Sequence, residues 1–201
     1  MTAGEGILHK EFHSHDYTAK GGMFEMVQLW VNLRGQDKSA APGYQSITDA
    51  QIPAVDLPDG AGRVRVIAGS YGDAKGPAST FTPMDVLDLR LNAGATTTLT
   101  PPEGWNVLVV ALSGEVMVNA EAKLTGPAVA RLSREGGGVV IEATSDAKLL
   151  FLAGEPIDEP ITGSSWGSSS WGSSKGSSSS SSRTTIPTPE NHAPLTVPEI
   201  E

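Results

Sequence analysis

Cysteine is absent from the 201 residues, which removes disulfides, thiolate-held zinc or iron–sulfur centres and cysteine nucleophiles together. Histidine is scarce and unevenly placed: His9, His13 and His15 open the chain, and His192 lies near its far end. The long middle therefore has no imidazole with which to hold a metal or relay a proton. Positive charge is short as well. Lys and Arg number 14 against 23 Asp and Glu, a formal charge of -9, so an electrostatic grip on nucleic-acid phosphates is not expected. Long apolar runs are missing: Val107 to Leu112 is far too short to span a bilayer, and the opening lacks the basic and apolar regions of a signal peptide. The expectation is a soluble protein of a reducing, cytoplasmic compartment (nuclear in a eukaryote), with no membrane and no direct nucleic-acid partner.

Helical periodicity is nearly absent too, and what remains is the two-residue period of strands, punctuated by Gly, Pro, Asn and Asp. Phe24 to Leu33 reads as a strand buried on much of both faces, and Arg63 to Ala68 alternates charge with valine as a half-exposed one should. Asp85 to Leu91 places Leu87, Leu89 and Leu91 on one face. Further strands are expected at Thr96 to Leu99, Asn106 to Leu112, Glu115 to Asn119, Ala128 to Leu132, Gly138 to Glu142 and Ala147 to Ala153, with Ser113-Gly114 closing a hairpin. So many short strands argue for a closed barrel or jelly roll, which removes exposed edges.

The chemistry-bearing residues concentrate at the start. His9 and Glu11 follow a glycine turn, and on an extended strand side chains at i and i+2 share a face, so both could reach one ion. Two donors are too few for a non-haem Fe(II) centre, which needs two or three histidines and a carboxylate. His13 and His15 continue the alternation, so the four could share a face and chelate Zn or Ni adventitiously. The plainer reading is a solvated or hydrogen-bonded polar pair on an exposed strand. Asp85 and Asp88 fall on opposite faces and are not a catalytic pair; Asp88 with Arg90 reads as a surface ion pair, and Arg63 and Arg65 as the solvent side of a strand. Gly136-Gly137-Gly138 and the Gly69, Gly72 pair precede no helix and read as turns rather than phosphate loops.

The succession of Gly-rich turn, strand, Pro-Gly turn, apolar strand and Gly turn resembles a cupin, a double-stranded β-helix. A metal-binding cupin places a His-x-His pair around the stretch that is here Pro101-Pro102-Glu103-Gly104-Trp105-Asn106, and this window has no histidine. Glu103 alone cannot hold a transition metal, and Trp105 reads as a core or rim aromatic. This barrel is expected to be structural.

Thr2-Ala-Gly4, Gly6-Ile7, His9-x-Glu11, Gln28 to Leu33, Asp37-Lys38 and Pro42-x-Tyr44-Gln45 occur in the order seen in pirins, which are bicupins. Val64 to Gly69, Gly76-Pro77, Gly94-Ala95 and Leu152 to Pro156 are similar to pirin stretches as well, so the resemblance covers residues 1 to about 161. It implies a metal, usually iron, held in the first cupin domain by a His-x-His pair, a later histidine and a glutamate, the last two matching His9 and Glu11. In the quercetin 2,3-dioxygenase activity reported for several pirins, the metal would bind a flavonol's adjacent oxygens. Glu11 would be a ligand and the catalytic base. Other pirins resemble redox-responsive regulators that act through transcription factors or enzymes. The first His-x-His pair has no equivalent here, so Fe(II) belongs to the intact family site and stable metal binding or turnover by this chain alone is not expected.

The resemblance divides the chain into residues 1–45, a remnant of the first cupin domain with interdomain strands; residues 46–161, the second barrel; and residues 162–201, a Ser/Gly/Pro-rich disordered tail. In that tail Ser165-Trp166-Gly-Ser-Ser169 repeats as Ser170-Trp171-Gly-Ser-Ser174, and nothing there can form a core. Strands of residues 1–33 without neighbours would expose apolar faces, so self-association is expected.

Overall fold

The computed structural model describes residues 1–9 and 11–160; Lys10 and residues 161–201 lie outside them, and with them the serine-rich tail, Trp166, Trp171 and His192. Every named strand falls between Ala54 and Gly154: β1 Ala54–Asp56, β2 Gly62–Ala68, β3 Ser70–Tyr71, β4 Ala74–Lys75, β5 Met84–Leu91, β6 Thr96–Leu99, β7 Asn106–Ser113, β8 Glu115–Val118, β9 Ala122–Thr125, β10 Ala128–Arg131, β11 Val139–Ala143 and β12 Ala147–Gly154. The pairing is antiparallel throughout. One sheet runs β1-β2-β5-β12-β7-β10, a second runs β6-β11-β8-β9, and β3 with β4 forms a small hairpin.

The two larger sheets face each other as a jelly roll, as the strand period predicts. Leu87, Leu89 and Leu91 of β5, Val109 and Ala111 of β7, Leu149 and Phe151 of β12, and Val116, Val118 and Ile141 from the opposite sheet fill the space between. Each large side chain so buried stabilises the fold by roughly 1.5–3 kcal/mol.

β12 explains itself from its sequence. Ala147-Lys-Leu-Leu-Phe-Leu-Ala-Gly154 is apolar on both faces because both are covered: Leu149 and Phe151 point into the barrel, whereas Leu150 and Leu152 join Ala68, Val86 and Val110 in a second apolar layer on the outer face. Val27 and Leu29 lie over that layer.

Three expectations need correcting here. Ser113-Gly114 does not close a hairpin, because β7 pairs with β12 and β10 while β8 pairs with β11 and β9. Gly114 is instead the point where the chain passes between sheets. Its φ is +82° and a Cβ there would lie 2.2 Å from the Asp146 carbonyl oxygen, so only glycine fits. Phe24 to Leu33 forms no ladder: it carries only single bridge positions at Val27 and Gln28, and Phe24, Met26, Trp30 and Val31 are exposed. The apolar alternation is there, but beyond those two bridge positions no ladder forms among the described residues, and Val27 and Leu29 pack on the sheet. The opening is not a strand either. Among the described residues its one isolated bridge is Thr2–Gly43.

Candidate functional site

The segment that carries the histidines is tied to the barrel at a few long-range points. Lys148 Nζ donates to Glu25 Oε2 at 2.7 Å, Arg34 pairs with Glu155, and the Gly35 amide donates to Glu159 Oε2 at 2.7 Å. With Val27 and Leu29 these contacts hold residues 24–38 against the outer sheet face.

His9 and Glu11 come together without a strand. His9 Nε2 lies 3.5 Å from Glu11 Oε1, with both side chains well exposed. The next two histidines leave them. His15 opens the short helix α1 (His15–Lys20), for which Ser14 is the N-cap, its Oγ accepting from the Tyr17 amide at 3.1 Å. Residues 15–20 are therefore helical rather than a continuation of the alternation. His13 stacks edge-on against Phe24 at 4.8 Å between ring centroids, and Tyr17 packs beside both. The Tyr17 hydroxyl donates to the Gly22 carbonyl at 2.8 Å and closes this small aromatic knot. The four donors His9, Glu11, His13 and His15 thus do not share one face. The reason is local: a Ser cap and a helical turn break the alternation that an extended backbone would have kept.

An imidazole and a carboxylate side by side are the right donor types for an iron-type ion but only part of a coordination sphere. No group of three or more His, Asp or Glu side chains that could hold a metal forms among the described residues. The donors present do not, by themselves, fit a transition metal.

Elsewhere the charged residues do structural work. Asp88 is not at the surface: only 4% exposed, it accepts from Arg65 Nη1 at 2.9 Å, from Arg90 Nη2 at 2.9 Å and from Arg90 Nε at 3.0 Å, and Arg65 also reaches Asp49. Arg65 is accordingly drawn in from solvent rather than facing it. Asp85, across the strand, takes the Ser70 amide at 3.1 Å, and burial pushes its carboxyl above the ordinary range against that bond's lowering effect.

Sequence reading missed one feature. At the end of the barrel where β7 begins, a cavity of about 280 Å³ opens between Trp105, Val107, Val118, Ala130, Leu132 and Val139. Trp105 is half-buried against the core at its edge, as expected for a rim aromatic. The Pro-Glu-Gly-Trp stretch before an apolar strand was the available signal for it.

The comparisons with known proteins bear on these same elements. The model of the pirin C-terminal cupin domain matches residues 86–167, from within β5 onward. Mouse pirin is 37% identical over 166 residues, and a Thermoplasma acidophilum protein designated "Putative quercetin 2,3-dioxygenase" is 30% identical over 176 residues, 80% of this chain and 67% of its own length. The chain belongs to the pirin family. A Pseudomonas aeruginosa relative with the same designation is 49% identical over 163 residues, covering 81% of this chain and 57% of the relative. The crystal structure of quercetin 2,3-dioxygenase from Acinetobacter baumannii superposes with a TM-score of 0.65 at 46% identity, over 68% of this chain and 47% of that one. The chain thus spans little more than half the length of several relatives it matches. The barrel is a cupin, and no helix among the described residues is long and apolar enough to cross a membrane.

Proposed function

We propose that the chain contributes His9 and Glu11 to a metal-dependent oxygenase site of the quercetin 2,3-dioxygenase type, with Fe(II) as the metal and a flavonol as substrate. The remaining ligands come from polypeptide outside these 201 residues. The observation that carries this reading is the 3.5 Å approach of His9 Nε2 to Glu11 Oε1 with no third donor gathered around them among the described residues. The designations of the Pseudomonas and Thermoplasma relatives support the reaction class. In this reading residues 1–45 belong with the first cupin domain, residues 46–161 are the second barrel and residues 162–201 are an appended tail. Glu11 has two roles, metal ligand and acceptor of the flavonol hydroxyl proton.

The test is complementation. Co-expression with the portion of the Pseudomonas relative that this chain does not cover should yield a complex that retains iron and consumes quercetin in the presence of oxygen. His9→Ala and Glu11→Ala should each abolish both properties. Stoichiometric iron and quercetin loss in the purified chain alone would overturn the proposal.

One observation favours a second reading, a non-catalytic module or redox-responsive co-regulator that acts through protein contacts. Leu8, Phe12 and Met23 are each more than four-fifths exposed, a concentration of apolar side chains suited to a protein partner. A partner captured without metal, and lost in a chain carrying Leu8→Glu, Phe12→Glu and Met23→Glu, would support this reading over the enzyme.

A further inference from the structure

We infer that the mouth of the cupin barrel is a binding site for a small, neutral, planar molecule of one or two aromatic rings. The cavity there is built, not incidental. Its floor is Val107, Val118 and Val139, all at most 4% exposed, and its sides are Ala130, Leu132 and the half-buried ring of Trp105. An indole and small aliphatic side chains line the same opening, with the polar Asn119 and Ser133 also in its lining, a combination suited to a ring that can stack on the indole. At about 280 Å³ it lies just below the size of pockets that take drug-sized ligands, roughly 300–1,000 Å³, which sets the limit at one or two rings.

The charges at the mouth argue against an anionic occupant, and the buried apolar floor argues against a bare cation. Glu121, Glu135, Arg131 and Arg134 are two of each sign. Arg134 is engaged with Asn106 at 2.9 Å and Asp158 at 3.1 Å. Arg131 is the register partner of Leu108, so strand alternation directs it with Val129 to the outer face, away from Ala130. The two acids Glu121 and Glu135 are what remains at the rim, and they disfavour an anion. His9 and Glu11 are not among the lining residues, so this site stands apart from the oxygenase reading and does not depend on it.

The test uses the full chain with a chelator present, so that metal chemistry plays no part, and titrates indole and 2-naphthol by calorimetry and amide NMR. Saturable binding is expected, with shifts concentrated at Trp105, Val118 and Val139. Trp105→Ala should raise Kd by about tenfold, the loss of one stacking surface. Ala130→Leu should fill the slot and abolish binding while the remaining amide spectrum, which reports an intact fold, is unchanged. Trp30→Phe, outside the cavity, should leave the affinity as it is. Absence of saturable binding for both probes at millimolar concentration, or unchanged affinity in folded Ala130→Leu, would overturn the site. Tighter binding of 1-naphthoate or 1-naphthylammonium than of 2-naphthol would overturn its neutral character.

Discussion

Arg65 and Asp88 are direct cross-strand partners of β2 and β5, and Arg65 Nη1 donates to Asp88 Oδ2 across a gap of 2.9 Å. Arg90 reaches the same carboxylate from two residues further along β5, so one buried acid pairs with two guanidinium groups. Removing it leaves Arg65, four-fifths buried, without its inner partner. Asp88→Ala should destabilise the chain by about 2 kcal/mol, because Arg65 keeps its outer partner Asp49 but loses the buried carboxylate. Urea denaturation measures this. Asp88→Asn, which keeps an acceptor, should cost less. A loss below about 0.5 kcal/mol in Asp88→Ala, the size of an ordinary surface substitution, would show that solvent reaches Arg65.

Gly114 carries the passage between sheets, and its restriction is steric. Gly114→Ala adds a Cβ 2.2 Å from the Asp146 carbonyl oxygen at a φ that non-glycine residues pay about 1–3 kcal/mol to adopt. The clash adds to that strain, so the variant should melt well below the parent or accumulate in the insoluble fraction. Gly136→Ala is the control. It also has a positive φ, +97°, but open space where the methyl would go, so it should show backbone strain alone and a smaller shift in Tm.

Most of the barrel was legible in the sequence because β2, β5, β7, β11 and β12 carry the period or the continuous apolarity that their burial demands. What the sequence concealed was partnership. The glycine that ends β7 looks the same whether the chain folds back beside itself or crosses to another sheet, and only the pairing of β7 with β12 decides. The approach of His9 to Glu11 was legible in the sequence, and the backbone that brings it about was not. His9 and Glu11 do meet, but the cap at Ser14 and the ring contacts of His13 with Phe24 and Tyr17 take the later histidines elsewhere. Trp105 was placed correctly, yet the cavity beside it needs Val118, Ala130 and Val139 from three other strands, which no local pattern reveals.

Two carboxylates should respond to pH with opposite sign. Asp85 has a folded pKa raised by burial, so its ionisation opposes folding at neutral pH, and that opposition fades as pH falls through the raised value. Asp85→Asn keeps the acceptor for the Ser70 amide and removes the charge. It should therefore stabilise the chain at pH 7 and lose that advantage near pH 4. Glu115 is the reverse. Lys123 and Thr144 hold its pKa down, so its contribution is present above the unfolded value and is lost as pH falls through the depressed one. Glu115→Gln should accordingly lower the urea midpoint at pH 7 and converge with the parent in acid. Parallel pH profiles for the two variants would contradict one of the two assignments.

The expected self-association rests on side chains rather than on strand edges, since residues 1–33 form no ladder that could add a strand. Leu8, Phe12, Met23 and Trp30 are 101%, 84%, 92% and 63% exposed, on a segment whose Val27 and Leu29 are already committed to the sheet. Apolar surface of this kind is buried by association, and its contribution scales with area. Sedimentation velocity should therefore show concentration-dependent association of the chain, and Leu8→Glu combined with Phe12→Glu and Met23→Glu should shift it to monomer. None of the three changes touches the barrel core, so its Tm should hold. A parent chain that stays monomeric at high concentration would mean these side chains are satisfied within one molecule, and it would remove the surface on which the protein-contact reading depends.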